Sequence, residues 1–126
     1  MPVGKKMGSF KGKFTSIRTL EVSGNDRVIE GTYEAKVTGK LAGIVTGTIT
    51  FSGENERGTF SDLGVAYLNS GGAIAGKGQG VYWSGKKGSW QLRGAFMLGK
   101  QMIVSEGQIS LGAGGFTLKG DVFALK

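Results

Sequence analysis

Arg18 and Glu106 are the charged side chains that fall in step with apolar neighbours. Arg18 shares the parity of Phe10, Phe14, Leu20 and Val22, and Glu106 that of Met102 and Val104. In an alternating chain such positions point a charge toward the core, where it needs a partner, because an unpaired buried charge costs several kcal/mol. They are therefore the candidate catalytic residues, Arg18 also as a ligand contact. A β-bulge in either strand would return the residue to solvent. The segment around Glu106 also has Ile103, Ile109 and Leu111 on its opposite face. Tyr33, Tyr67 and Tyr82 sit in apolar phases and could aim hydroxyls into a pocket, although a core tyrosine with one hydrogen-bond partner looks the same. Trp83 and Trp90 flank Ser84–Gly88 and could close one mouth of a barrel, or simply pack beneath that hairpin.

The residue types that are missing narrow the chemistry. There is no Cys and no His. Disulfide scaffolds, thiolate nucleophiles and Cys-based metal sites are excluded, as are the Ser-His-Asp triad and most transition-metal sites. No cofactor and no metal ligand set is expected. Glu30/Glu34 and Glu54/Glu56 are paired carboxylates, but the first pair falls on an outward phase and the second in a turn, so both read as solvated surface charge. Gly76-Lys77-Gly78-Gln79-Gly80 looks superficially like a phosphate loop; Val81-Tyr82-Trp83 continues a strand where a P-loop needs a helix.

The elements that must position these groups are strands. Gly43 to Phe51 alternates Val45, Gly47, Ile49 and Phe51 against Thr46, Thr48 and Thr50. Ser89 to Leu98 sets Trp90, Leu92, Gly94, Phe96 and Leu98 against Ser89, Gln91, Arg93, Ala95 and Met97. Period-two patterns rich in β-branched and aromatic residues are half-buried strands. Turn clusters such as Ser23-Gly24-Asn25-Asp26, Asn69-Ser70-Gly71-Gly72 and Gly112-Ala113-Gly114-Gly115 bound strands near 8–22, 27–38, 41–52, 59–68, 73–83, 89–98, 101–111 and 115–125. With every connection short, consecutive strands are antiparallel neighbours. About eight of them predict one all-β domain over 1–126, an antiparallel up-and-down barrel of the lipocalin/calycin or allene-oxide-cyclase-like kind, because closure removes exposed edges. Residues 1–7 are expected as a flexible tail.

Glycine supports a small barrel. The chain has 25 glycines in 126 residues, against about 7% on average, and many lie inside strands. Gly76, Gly78 and Gly80 open onto one face of one strand, leaving either a slot for a facing aromatic or part of a ligand cavity. The alternative phase of that strand would turn Lys77, Gln79, Val81 and Trp83 inward. Candidate ligand contacts are thus Arg18, Tyr33, Tyr67, Gly76, Gly78, Gly80, Tyr82 and Trp90. Ile29, Gly31, Tyr33, Ala35 and Val37 form the core side of their strand in a water-soluble barrel; an outer-membrane barrel would invert the phase. With no apolar stretch after Lys5-Lys6 to act as an export signal, the expected location is cytoplasmic and no membrane partner is expected.

The formal net charge is +7. Lys5, Lys6, Lys11, Lys13 and Arg18 cluster near the N-terminus, with Phe10 and Phe14 interleaved, as a nucleic-acid surface would have them. An amphipathic strand with a lysine outer face has the same pattern, and the charge also suits plain solubility.

Gly78-Gln79-Gly80-Val81-Tyr82-Trp83-Ser84-Gly85-Lys86-Lys87-Gly88-Ser89-Trp90-Gln91-Leu92-Arg93-Gly94, with Leu111-Gly112-Ala113-Gly114-Gly115-Phe116-Thr117-Leu118-Lys119-Gly120, loosely resembles the small allene-oxide-cyclase-like barrels of the calycin type. The resemblance covers roughly the C-terminal third and rests on glycine-aromatic motifs. It implies an apolar cavity along the barrel axis and a homo-oligomer, and it transfers no catalytic residue.

Three readings of function follow. The first is binding of a small, largely apolar ligand in a barrel cavity. The second is a cofactor-free cyclase or isomerase acting in the same cavity, where positioning alone supplies large rate factors. The third is a basic module that binds nucleic acid or another polyanion on its outer face. A packed interior would remove the first two, and an inner carboxyl or Arg against apolar walls would favour the second over the first.

Overall fold

In a computed structural model, which describes residues 3–125, the chain runs as eight strands: β1 (Val3–Ser23), β2 (Asp26–Gly39), β3 (Gly43–Gly53), β4 (Arg57–Leu68), β5 (Ala73–Ser84), β6 (Ser89–Leu98), β7 (Gln101–Gly112) and β8 (Gly115–Leu125). Each pairs antiparallel with the next, and β8 pairs with β1 to close the barrel. Gly-containing turns make the short connections possible: Gly99, at φ 62°, reverses the chain between β6 and β7 in a conformation that costs other residues about 1–2 kcal/mol. No helix among the described residues is long and apolar enough to cross a membrane.

The flexible tail expected over 1–7 is corrected for its described part. Val3 and Lys6 are in register with Leu125 and Phe123 of β8, and Met7 is buried against Ile103 and Val122. These residues lengthen β1 because β8 would otherwise end on an open edge. Residues 1 and 2 lie outside the described residues.

In β3, β6 and β8 the apolar parity faces inward, as the alternation predicts. Val45, Ile49 and Phe51 of β3, Trp90, Leu92 and Phe96 of β6, and Phe116, Leu118 and Val122 of β8 all belong to the core. Aromatic rings take up the space that glycine leaves. A Cβ built on Gly78 would lie 2.1 Å from Phe96 Cδ2, and one on Gly94 would lie 2.9 Å from Phe60 Cζ. Phe96 therefore lies across a glycine of the adjoining strand and Phe60 across one two strands away, which is how a narrow eight-stranded barrel fits large side chains without splitting its wall. Phe51, Phe60, Tyr82 and Phe96 meet as a chain of ring pairs 5.7–6.3 Å apart. Each pair adds about 0.5–1.5 kcal/mol beyond its buried area. This aromatic layer fills the middle of the barrel and separates its two ends.

The first end carries the β2–β3, β4–β5 and β6–β7 turns together with the start of β1; the second carries the β1–β2, β3–β4, β5–β6 and β7–β8 turns. At the second end the Tyr82 hydroxyl donates to the Glu54 carbonyl, and Trp90 Nε1 donates to the Asn55 carbonyl at 2.8 Å. The β3–β4 turn is thereby held across the opening. Trp83, its neighbour in the sequence, stands on the outer face, 43% exposed.

Candidate functional site

Among the described residues, Asp62 is the acidic side chain that lines the inside of the barrel. It lies on β4 between Phe60 and Gly64, in register with Ile49 of β3 and Gly78 of β5. Tyr33 reaches it from β2, two strands away. The ring of Tyr33 crosses β3 over Gly47, where an added Cβ would lie 2.6 Å from the tyrosine oxygen. Only a residue without a side chain lets the ring lie that low. Past Gly47 the hydroxyl lies between Gly64 and the carboxyl, and donates to Asp62 with both carboxylate oxygens at 3.0 Å.

The surroundings set the protonation of this pair. Burial against hydrocarbon raises the Asp62 carboxyl to about 6, against 3.8 ordinarily, and the Tyr33 hydrogen bond offsets part of that rise. Burial, together with the adjacent Asp62 carboxylate, pushes the Tyr33 hydroxyl well above its usual range. The pair at neutral pH is therefore a largely ionised carboxylate held by a neutral phenol. The ion pairs formed among the described residues, Lys6–Asp121 and Arg18–Glu30, lie elsewhere.

Asp62 and Tyr33 open onto a chamber of about 150 Å³ at the first end. Its walls run from Ile49, Phe60 and Leu92 at the aromatic layer to Leu41, Ala66 and Leu98 near the turns, and Ser105 adds one hydroxyl from β7. A second chamber of about 240 Å³ lies beyond the aromatic layer, lined by Phe14, Ile29, Tyr82, Trp90, Ile109 and Phe116 under the pinned β3–β4 turn. Burial raises the Tyr82 hydroxyl too. Among the described residues, no cluster of three or more acidic side chains could hold a metal ion.

The expected site residues divide between these places. Tyr33 lies in the first chamber, and Gly76 lines its wall. Tyr82 and Trp90 belong to the second. Gly78 faces inward but is covered by Phe96, and Gly80 lies against the backbone of Arg93 and Gly94, so neither opens onto free space.

Arg18, Tyr67 and Glu106 are outside the barrel, contrary to the phases expected for them. In β1 the register shifts between Phe14 and Ser16, and this bulge reverses the parity that placed Arg18 with Phe10 and Phe14. Its guanidinium is exposed and donates to Glu30 at 2.9 Å. In β7 the pairing is regular, and Ile103 and Ile109 take the inward positions. Glu106 then faces solvent beside Arg93 and Asp121. Tyr67 is 53% exposed because β4 presents its richer apolar set, Leu63, Val65 and Tyr67, outward. That inversion also hid Asp62: counting apolar residues selects the wrong face of β4. The available signal was positional, since Phe60, Asp62, Gly64 and Ala66 are the set that continues the inward parity of β3 through the register.

The two phenylalanines interleaved with the lysines of β1 do not stand on the surface beside them. Phe10 and Phe14 pack in the core, and Lys6 is paired with Asp121 at 3.1 Å.

No family model, no curated protein and no solved structure matches this chain.

Proposed function

We propose that the barrel binds a small, largely apolar molecule in the chamber beside Asp62 and Tyr33. The observation behind this reading is a carboxyl–phenol pair set in a largely hydrocarbon cavity. Apolar enclosures with a few convergent polar groups and a displaced pKa are the usual form of a ligand site. The volume bounds the ligand. A 150 Å³ apolar cavity is of the size that holds benzene in another protein, and drug-sized ligands need roughly 300 Å³ or more. One ring or a short branched chain fits; a long flexible chain does not.

The test is a titration of the ¹⁵N-labelled protein with toluene, followed by amide shifts. Perturbations confined to residues lining the chamber, such as Ala66, Leu92 and Leu98, are expected. Shifts confined to the outer face, or none up to the solubility of toluene, would refute the proposal.

A cofactor-free isomerase is the second reading, and Asp62 favours it. A carboxyl titrating near 6 accepts and returns protons efficiently close to neutral pH. Its substrate would obey the same size limit, which tells against folding a long chain. Deuterium uptake from D₂O at an acidic C–H of a small ketone, abolished by Asp62→Asn, would support it; equal uptake with the variant would dismiss it.

A further inference from the structure

We infer that the ligand of the Asp62 chamber is a cationic amine: an ammonium head that pairs with Asp62, carried on a hydrocarbon body the size of one ring. The inference rests on the chamber being a ligand site and concerns what that site selects.

The argument is one of uncompensated charge. Every element packed against Asp62 can be checked for a positive group. β2 brings Tyr33, whose neutral hydroxyl donates a single hydrogen bond. β3 brings Ile49 and Gly47, and β5 brings Gly78. Along β4 itself the inward neighbours are Phe60 and Gly64. Lys77 borders the chamber wall, but its residue is exposed on the outer face of β5 and it makes no ion pair among the described residues. Burial alone raises the Asp62 carboxyl, with no neighbouring charge contributing to the shift. One phenol proton shared by two carboxylate oxygens leaves acceptor capacity unfilled, since an ionised carboxylate offers about four lone-pair sites.

Such a carboxylate discriminates among ligands. A carboxylic acid would bring a second negative charge and be repelled once ionised. A hydrocarbon would gain only its buried area. An ammonium group supplies both the counter-charge and up to three N–H donors, and a charge-assisted bond in a poorly solvated site is about twice as strong as a neutral one. Tyr33 holds one edge of the carboxylate, so the remaining acceptor positions face the chamber and fix where the head must sit.

Toluene and benzylamine share a ring and differ in the charged head, so they separate the two claims. Both are titrated by NMR into the wild-type protein and into Asp62→Asn, at pH 5 and pH 7.5; benzylamine is cationic at both values. Benzylamine is expected to bind more tightly than toluene at pH 7.5, and about tenfold more weakly at pH 5, because a carboxyl titrating near 6 is ionised in only about one molecule in eleven there. Toluene is expected to show no such dependence. In Asp62→Asn benzylamine should lose both its advantage and its pH response. Binding of toluene with no preference for benzylamine, or a preference insensitive to pH and to Asp62→Asn, would overturn the amine inference and leave the chamber a ligand site. Failure of both compounds at both pH values would overturn the chamber as a ligand site and the inference with it. The pH series on the unaltered protein makes the test independent of how the variant folds.

Discussion

Replacing Asp62 with Asn should stabilise the protein at neutral pH and leave it nearly unchanged at pH 4. The native carboxyl keeps its proton up to about 6, whereas the unfolded chain releases it near 3.8. Between these values the native state binds more protons than the unfolded state, so stability falls as pH rises through the window. The stabilisation held by the protonated carboxyl is complete below pH 3.8 and lost by the time pH passes 6. A displacement of about two pH units corresponds to about 3 kcal/mol, an upper figure because Asp62 is not fully buried. Asn keeps an oxygen to accept from Tyr33 and carries no charge to desolvate. Urea unfolding of both proteins at half-unit steps from pH 3.5 to 8 measures the effect. The wild type should lose up to ~3 kcal/mol between pH 4 and 6.5 while the variant stays level across the same interval. Two parallel curves would mean that Asp62 titrates normally, and the account of a desolvated carboxyl would be wrong.

Tyr33→Phe removes the only hydrogen bond that lowers the Asp62 pKa, so the carboxyl midpoint followed by ¹³C NMR should move above 6; a downward move would contradict the assigned geometry. Gly47→Ala places a Cβ 2.6 Å from the Tyr33 oxygen and should displace the phenol, giving the same upward move in Asp62 plus a loss of about 1–3 kcal/mol from overpacking. Gly78→Leu drives a side chain into Phe96 and should cost at least ~1–3 kcal/mol in denaturant unfolding, whereas a neutral result would show that the ring does not occupy that face. Trp90→Phe gives up the bond to the Asn55 carbonyl and should cost about 1 kcal/mol, with faster amide exchange confined to Glu54–Arg57.

The barrel was legible because its information is local and repeated. Alternation in β3 and β6 and a glycine turn between successive strands each depend on a few neighbouring residues, and seven short antiparallel links admit few arrangements other than a closed ring. The strand limits follow, with β1 longer than expected because its first residues are held by β8, at the other end of the chain. The site was much less legible, for reasons that differ from residue to residue. Arg18 was misplaced by one bulge after Phe14, which reverses the parity of β1 as far as a second register shift after Thr19 and leaves no mark in composition. Glu106 and Tyr67 lie on strands with apolar residues on both faces, so the face that is buried is decided by the neighbouring strands.

Asp62 shows where such reasoning can be extended. Several inward glycines lie under a ring, Gly31 under Phe14, Gly47 under Tyr33, Gly78 under Phe96 and Gly94 under Phe60, so the two sets constrain each other across the register. Tyr33 lying over Gly47 fixes the phases of β2 and β3 together, and Phe60 reaching Gly94 does the same for β4 against β6. Once Phe60 is inward, Asp62 two residues later is inward as well, whatever Leu63, Val65 and Tyr67 suggest by their number. The glycines that make the barrel possible also determine where Asp62, the one inner carboxylate among the described residues, stands. A substitution at Gly47 therefore acts on the chemistry of Asp62 through the path of the Tyr33 ring, although Gly47 itself presents no functional group to the chamber.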